Sequence, residues 1–195
     1  MPTGYRNYLS IKHEHKTVPY CGSGKMRPDG DANYGFKNLK SHPELIDTIP
    51  ELIKDPALMK LARAINAPDT GLCSIGCVSD RYEERGHLRY SGYMEIAFNS
   101  RSHIVDPSHY FSLFFDFDHV IEKSGFDVKV EYNWSLQPAT FIDQKAAGYT
   151  CTIFLNTYFF ESEQAATEAW EATLDSLGLH LGKIPIKNTD YLIPI

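Results

Sequence analysis

The stretch Phe126-Asp127-Val128-Lys129-Val130-Glu131-Tyr132-Asn133-Trp134-Ser135-Leu136-Gln137 alternates apolar and polar side chains without a break. Successive side chains of a strand point to opposite faces, so a period of two over this length means a half-buried strand. Phe126, Val128, Val130, Tyr132, Trp134 and Leu136 form its dry side, and the rest of the chain is read by asking what packs on that side and what is left for the other.

Beyond it, Pro138 to Lys145 reads as a turn and Ala146 to Phe160 as a long strand with Tyr149, Cys151, Ile153 and Leu155 on one face. Ser162 then caps a helix running to Leu177, with Ala166, Ala169, Trp170, Thr173, Leu174 and Leu177 as its apolar stripe and Gly178 as its stop. Upstream, Asp106-Pro107 opens a helix from Pro107 to Lys123, closed by Ser124-Gly125. Before that helix, Leu72 to Ser79 and Leu88 to Asn99 read as two strands joined by the polar loop Asp80 to Gly86. A last strand is expected at Tyr191 to Ile195. Gly92-Tyr93 with Phe98 and Asn99 echoes Gly148-Tyr149 with Phe154 and Asn156, as two units of two strands plus a helix would. The expected fold is therefore α+β: an antiparallel sheet with two main amphipathic helices on one face. Its arrangement is ferredoxin-like or a tandem of two-strand-plus-helix units.

The part before Leu72 is less regular. From Ser41 to Ala67 the apolar residues recur at helical spacing. Pro50 bends the run, and Asp55-Pro56 caps a second short helix that the turn Ala67 to Gly71 ends. In residues 1–40 Gly22, Gly24, Gly30 and Gly35 break any period, so this segment reads as loop with one short strand at Tyr8 to Ile11. The expected division is an irregular basic segment, 1–40, and one α+β domain, 41–195.

Apolar residues make up 43% and aromatics 13% of 195 residues, enough for a packed interior and too much for a disordered chain. No run of about 18 apolar residues exists, and Met-Pro-Thr-Gly-Tyr-Arg lacks the apolar core of a secretory signal. Cys21, Cys73, Cys77 and Cys151 are scattered, which suggests free thiols and a cytoplasmic location. Cys73 and Cys77, about 13 Å apart on an extended strand, are too distant for a local disulfide but suit side-by-side places in one core. The net charge of −6 hides an asymmetry: residues 1–40 hold seven Lys or Arg against three acids, +4, which leaves −10 for the remainder. A basic arm either binds a polyanion or folds onto its own acidic domain, and charges this thinly spread favour the second over a nucleic-acid contact.

Two kinds of chemistry are open. On the helix wheel Asp118 falls between Phe111 and Phe114, beside the apolar face, where a carboxylate needs a partner or becomes an acid of raised pKa. With His109 or His119 it could serve acid–base catalysis. Asp116 and His119 could supply two metal ligands, but no third is dictated, and His13-Glu14-His15 lacks a second pair at zinc spacing. Cys21-Gly22-Ser23-Gly24-Lys25 resembles a fragment of a phosphate-binding loop without its spacing or its Ser/Thr. No cofactor motif and no Gly-x-Ser-x-Gly elbow occurs. If the helices cover one side of the sheet, the other offers Tyr93, Glu95, Glu131, Asn133 and Phe154 as a recognition surface. The leading expectation is a non-catalytic binding or regulatory protein, of inhibitor or immunity type, that uses an acidic body and an open sheet face toward a protein or small-molecule ligand; homo-oligomerisation stays open. The alternative is a small hydrolase built on Asp118 and a nearby histidine.

Overall fold

The computed structural model describes residues 4–20 and 35–195. In chain order the elements are β1 (Tyr5–Ile11), β2 (Lys16–Val18), a 3-10 turn (Pro43–Thr48), α1 (Pro50–Lys54), α2 (Pro56–Asn66), β3 (Leu72–Glu84) and β4 (His87–Phe98). They continue with α3 (Arg101–Ile104), α4 (Ser108–Lys123), β5 (Val130–Phe141), β6 (Ala146–Thr157) and α5 (Glu163–Leu181). The six strands form one sheet in the order β1-β5-β6-β4-β3, and β2 continues along the edge of β5 beyond β1.

The sheet is mixed, which corrects the expectation of an antiparallel one. β3, β4, β6 and β5 pair antiparallel, but β1 and β2 both run parallel to β5. Two of the three antiparallel pairs, β3–β4 and β5–β6, are hairpins joined by short turns, and those turns leave a signal in the sequence. A parallel pair needs a long crossover, and this one spans everything from Lys12 to Lys129, so no local pattern announces it.

Both main helices lie on the dry side of β5. Trp134 packs against Phe114 and Phe117 of α4, with ring centroids 6.0 and 5.5 Å away, and Phe117 meets Tyr132 edge-on at 5.0 Å. The Tyr132 hydroxyl shares a 2.8 Å hydrogen bond with Ser176 of α5. Trp170 of α5 stacks on Tyr90 at 5.6 Å while its indole N–H donates to Asp55, the residue that also caps α2. An aromatic side chain thus fills the space between sheet and helix while its polar tip ties down a third element.

Several boundaries differ from the periodicity, each for a physical reason. β3 and β4 continue through the polar stretch and turn only at Arg85 and Gly86, both at positive φ (51° and 78°), the two-residue turn that suits a twisted hairpin. β5 starts at Val130 and runs on to Phe141, and its lead-in Phe126 packs against Tyr5 of β1. Gly178 does not stop α5. It lies where α5 crosses α2, and an added Cβ would sit 3.5 Å from Leu61. No strand forms at 191–195; that segment is clamped by Asn99, whose amide accepts from the Ile193 N–H and donates to its carbonyl. A register shift between Ser74 and Gly76 separates Cys73, opposite Ala97, from Cys77, opposite Met94, so the two thiols face opposite sides of the sheet. Cys73, Cys77 and Cys151 are free.

Lys40 holds the segment before α1 to the turn before β3. It is 6% exposed, and its Nζ donates to the carbonyls of Ala67 (2.5 Å) and Thr70 (2.6 Å) and to the Thr70 hydroxyl (2.8 Å). Burial brings its pKa down to about 8. An unfolded lysine holds its proton up to about pH 10.4, so between these values the unfolded chain binds more protons and stability rises with pH. Denaturant unfolding should therefore show the stability gap between wild type and Lys40→Met widening from about pH 8 toward pH 10; a constant gap contradicts a lowered pKa for Lys40.

Candidate functional site

The side of the sheet away from α4 and α5 is ordered in rows that run across five strands. One row is Arg6, Glu131, Asn156, Ser91 and Asp80; the next is Tyr8, Asn133, Phe154, Tyr93 and Val78; the third is Ser10, Ser135, Thr152, Glu95 and Gly76. Directly opposed residues in such ladders are neighbours in space, and the side chains interact accordingly. Arg6 pairs with Glu131 at 3.2 Å, and the Ser91 hydroxyl donates to Asn156 Oδ1 at 2.5 Å. The Tyr93 and Phe154 rings lie 6.0 Å apart, with the Lys12 ammonium 5.4 Å from the Phe154 centroid.

This face has a covered half and an open half. Glu95, Ser135, Thr150 and Thr152 are buried, whereas Tyr93, Asn133, Phe154, Glu131 and Asn156 are half-buried. The cover comes from the residues that follow β1. Lys16 of β2 reaches Glu95 of β4, with its Nζ 2.5 and 2.7 Å from the two carboxylate oxygens. In a flat sheet β2 and β4 would be three spacings, about 14 Å, apart, beyond a lysine side chain, so the sheet curls toward this face. Tyr20 lies over Gly76, where a Cβ would come within 2.8 Å of its hydroxyl. Burial first, then the neighbouring Tyr93 and Glu95, push the Tyr20 phenol well above its ordinary pKa. Beneath the cover the hydroxyls of Ser135 and Thr150 find no hydrogen-bond partner among the described residues.

A second concave site lies between the start of α4 and the C-terminal segment, a cleft of about 260 Å³ lined by Phe98, Ser100, His103, His109, Lys187 and Asn188 among others. The Ser100 hydroxyl stands 2.8 Å from Asp190 Oδ1 and 2.9 Å from His103 Nδ1, and Asp190 Oδ2 accepts from the Ser102 N–H at 2.8 Å. His103 and His109 stack with centroids 4.2 Å apart. Burial, then the charges of His109 and Lys187, lower the His103 pKa. Hydrogen bonds from Ser100 first, then from Ser102, hold the Asp190 carboxyl low. The bond pattern is that of a clip. Ser100 caps α3 and is 7% exposed, and Asp190 draws the chain's end onto it.

Of the proposed acid–base residues, Asp118 is half-buried and accepts a 3.1 Å hydrogen bond from Asn7 of β1. His109 lies in the cleft, nine residues away along α4, about 13 Å on the helix axis, so Asp118 and His109 are not brought together. His119 is exposed. The five proposed recognition residues, Tyr93, Glu95, Glu131, Asn133 and Phe154, lie on one face, with Glu95 under the cover. Among the described residues no group of three or more His, Cys, Asp or Glu could hold a metal ion. His13 and His15 are exposed, His15 beside the Thr140 hydroxyl at 3.3 Å. The Cys21 to Lys25 motif lies outside the described residues. Ser100, His103 and Asp190 have no motif spacing to mark them. The chain has no significant match among protein-family models, curated proteins or solved structures. No helix among the described residues is long and apolar enough to cross a membrane.

The Lys16–Glu95 pair is the hinge of the covered half. Removing one partner of this partly buried pair leaves an uncompensated charge and costs about 1–3 kcal/mol, whereas replacing both is close to neutral. Lys16→Met should lose that amount in urea unfolding, and Lys16→Met/Glu95→Leu should regain most of it. An equal loss in both variants would show that the cover is held by something else.

Proposed function

We propose that the protein is a non-catalytic binding protein that recognises its partner with the open half of the sheet face, using Tyr93, Phe154, Asn133 and Glu131. The observation that carries this reading is the adjacent pair Tyr93 and Phe154 on neighbouring strands, half-exposed within a polar surround. Aromatic side chains fixed by strands on both sides lose little freedom on binding, and a centre of rings inside a polar rim is the composition of an interaction hot spot. The acidic balance beyond residue 40 would speed encounter with a basic partner and make association slower at raised salt.

Native mass spectrometry of the purified protein would identify what it retains. With that partner in hand, Tyr93→Ala and Phe154→Ala should each weaken binding by about 2 kcal/mol, or roughly thirtyfold, with the thermal transition still cooperative. Unchanged affinity in both variants removes this face as the recognition surface.

Acid–base chemistry, the other reading, has its specific support in the cleft, where His103 stacks on His109 and burial lowers its pKa. A neutral imidazole is a competent general base. Any turnover detected should then fall at least a hundredfold in His103→Gln with an intact fold; turnover that survives the change excludes the cleft.

A further inference from the structure

At the end of the open face, by the first row, Arg89 of β4 is held in an unusual way. Its guanidinium carbon lies 5.4 Å from the centroid of Tyr82, its cross-strand partner, and 5.0 Å from that of Phe159. The Nε–H is buried and finds no acceptor among the described residues. Among the described residues the guanidinium makes neither a hydrogen bond nor an ion pair. Ring faces therefore hold this cation, and its hydrogen-bonding edge is unused.

Arg89 borders a depression of about 400 Å³ lined also by Glu131, Asn156, Thr157, Tyr158 and Phe159. Two of these settle its polarity. Glu131 is paired with Arg6 at 3.2 Å and approached by the Tyr158 hydroxyl at 3.4 Å, and among the described residues it makes no ion pair with Arg89. Asn156, in the lining of the same depression, accepts from Ser91 through Oδ1, which among the described residues leaves its Nδ2–H₂ free as a second donor.

We infer that this depression is a binding site for a carboxylate, seated on the outer N–H groups of Arg89 and on the Asn156 amide. A planar guanidinium matches a planar carboxylate with two parallel hydrogen bonds. The stacking has already removed the freedom that an exposed arginine would lose on binding. Glu131 at the rim opposes a doubly charged phosphate, so a single negative charge is the better fit. The inference rests on the open sheet face being the recognition surface, and names the group on the partner that the face anchors.

A sheltered Nε–H exchanges slowly with water, so the Arg89 side chain should give a resolved proton–nitrogen NMR signal, identified by its absence in Arg89→Lys. Titration of the full chain with acetate, at ionic strength matched with chloride, should shift that signal and the Asn156 side-chain amide saturably, with a dissociation constant in the millimolar range. Followed through Asn156, Arg89→Lys should bind about tenfold more weakly, since it keeps the charge and loses the fork. Inorganic phosphate should bind more weakly than acetate. Acetyl-tetraalanine with a free carboxyl terminus, compared with its amide, locates the source. Tighter binding than acetate, lost in the amide, assigns the site to polypeptide termini, and binding equal to acetate assigns it to small organic acids. Shifts that do not saturate, that persist in Arg89→Lys, or that the amide reproduces overturn the inference. If acetate binds but Tyr93→Ala and Phe154→Ala leave partner affinity intact, the wider face reading fails and the carboxylate site stands; the opposite pattern removes the carboxylate site alone.

Discussion

β5 is hydrogen-bonded along both edges, to β1 and β2 on one side and to β6 on the other. A strand at a free edge can slip by one residue and exchange its faces; one laddered on both sides cannot. That constraint places Tyr132 and Trp134 beneath α4 and α5 and, in the same stroke, Glu131, Asn133 and Ser135 on the other side. The core and the proposed recognition face are thus two consequences of one register.

Much of this was legible in the chain, and the reasons are local. The alternation around Trp134 and the apolar stripes of α4 and α5 are periodic signals generated by the burial they report. β1 leaves a fainter trace, legible only as a short strand from Tyr8 to Ile11 where the structure has Tyr5–Ile11. Its partner lies 125 residues away, and as an edge strand it carries Arg6, Tyr8 and Ser10 toward solvent, so only Tyr5 and Leu9 speak for it. Gly178 misleads for the converse reason. A glycine inside a helix looks like a stop unless the helix that crosses it is known, and α2 is more than a hundred residues upstream.

The proposed recognition face divides in the same way. Period-two reasoning is enough to gather Tyr93, Glu95, Glu131, Asn133 and Phe154, since parity alone decides which side each one takes. It cannot tell that the curl of the sheet brings Lys16 over Glu95 and withdraws that carboxylate from solvent, because curvature belongs to the whole sheet. Arg89 is invisible for a related reason: its two rings come from β3 and from the segment after β6, and only the assembled hairpin sets them on either side of one guanidinium.

The parallel pairing of β1 also sets an order of assembly. During synthesis residues 5–18 leave the ribosome long before β5, the strand with which β1 and β2 both pair, exists. Contacts across such a separation form only after the intervening chain has collapsed. β3, β4, β5 and β6 with their helices can form a framework from hairpins, onto which the N-terminal segment closes last. A face that is half covered by the last segment to dock is, for part of the protein's life, a face wholly uncovered.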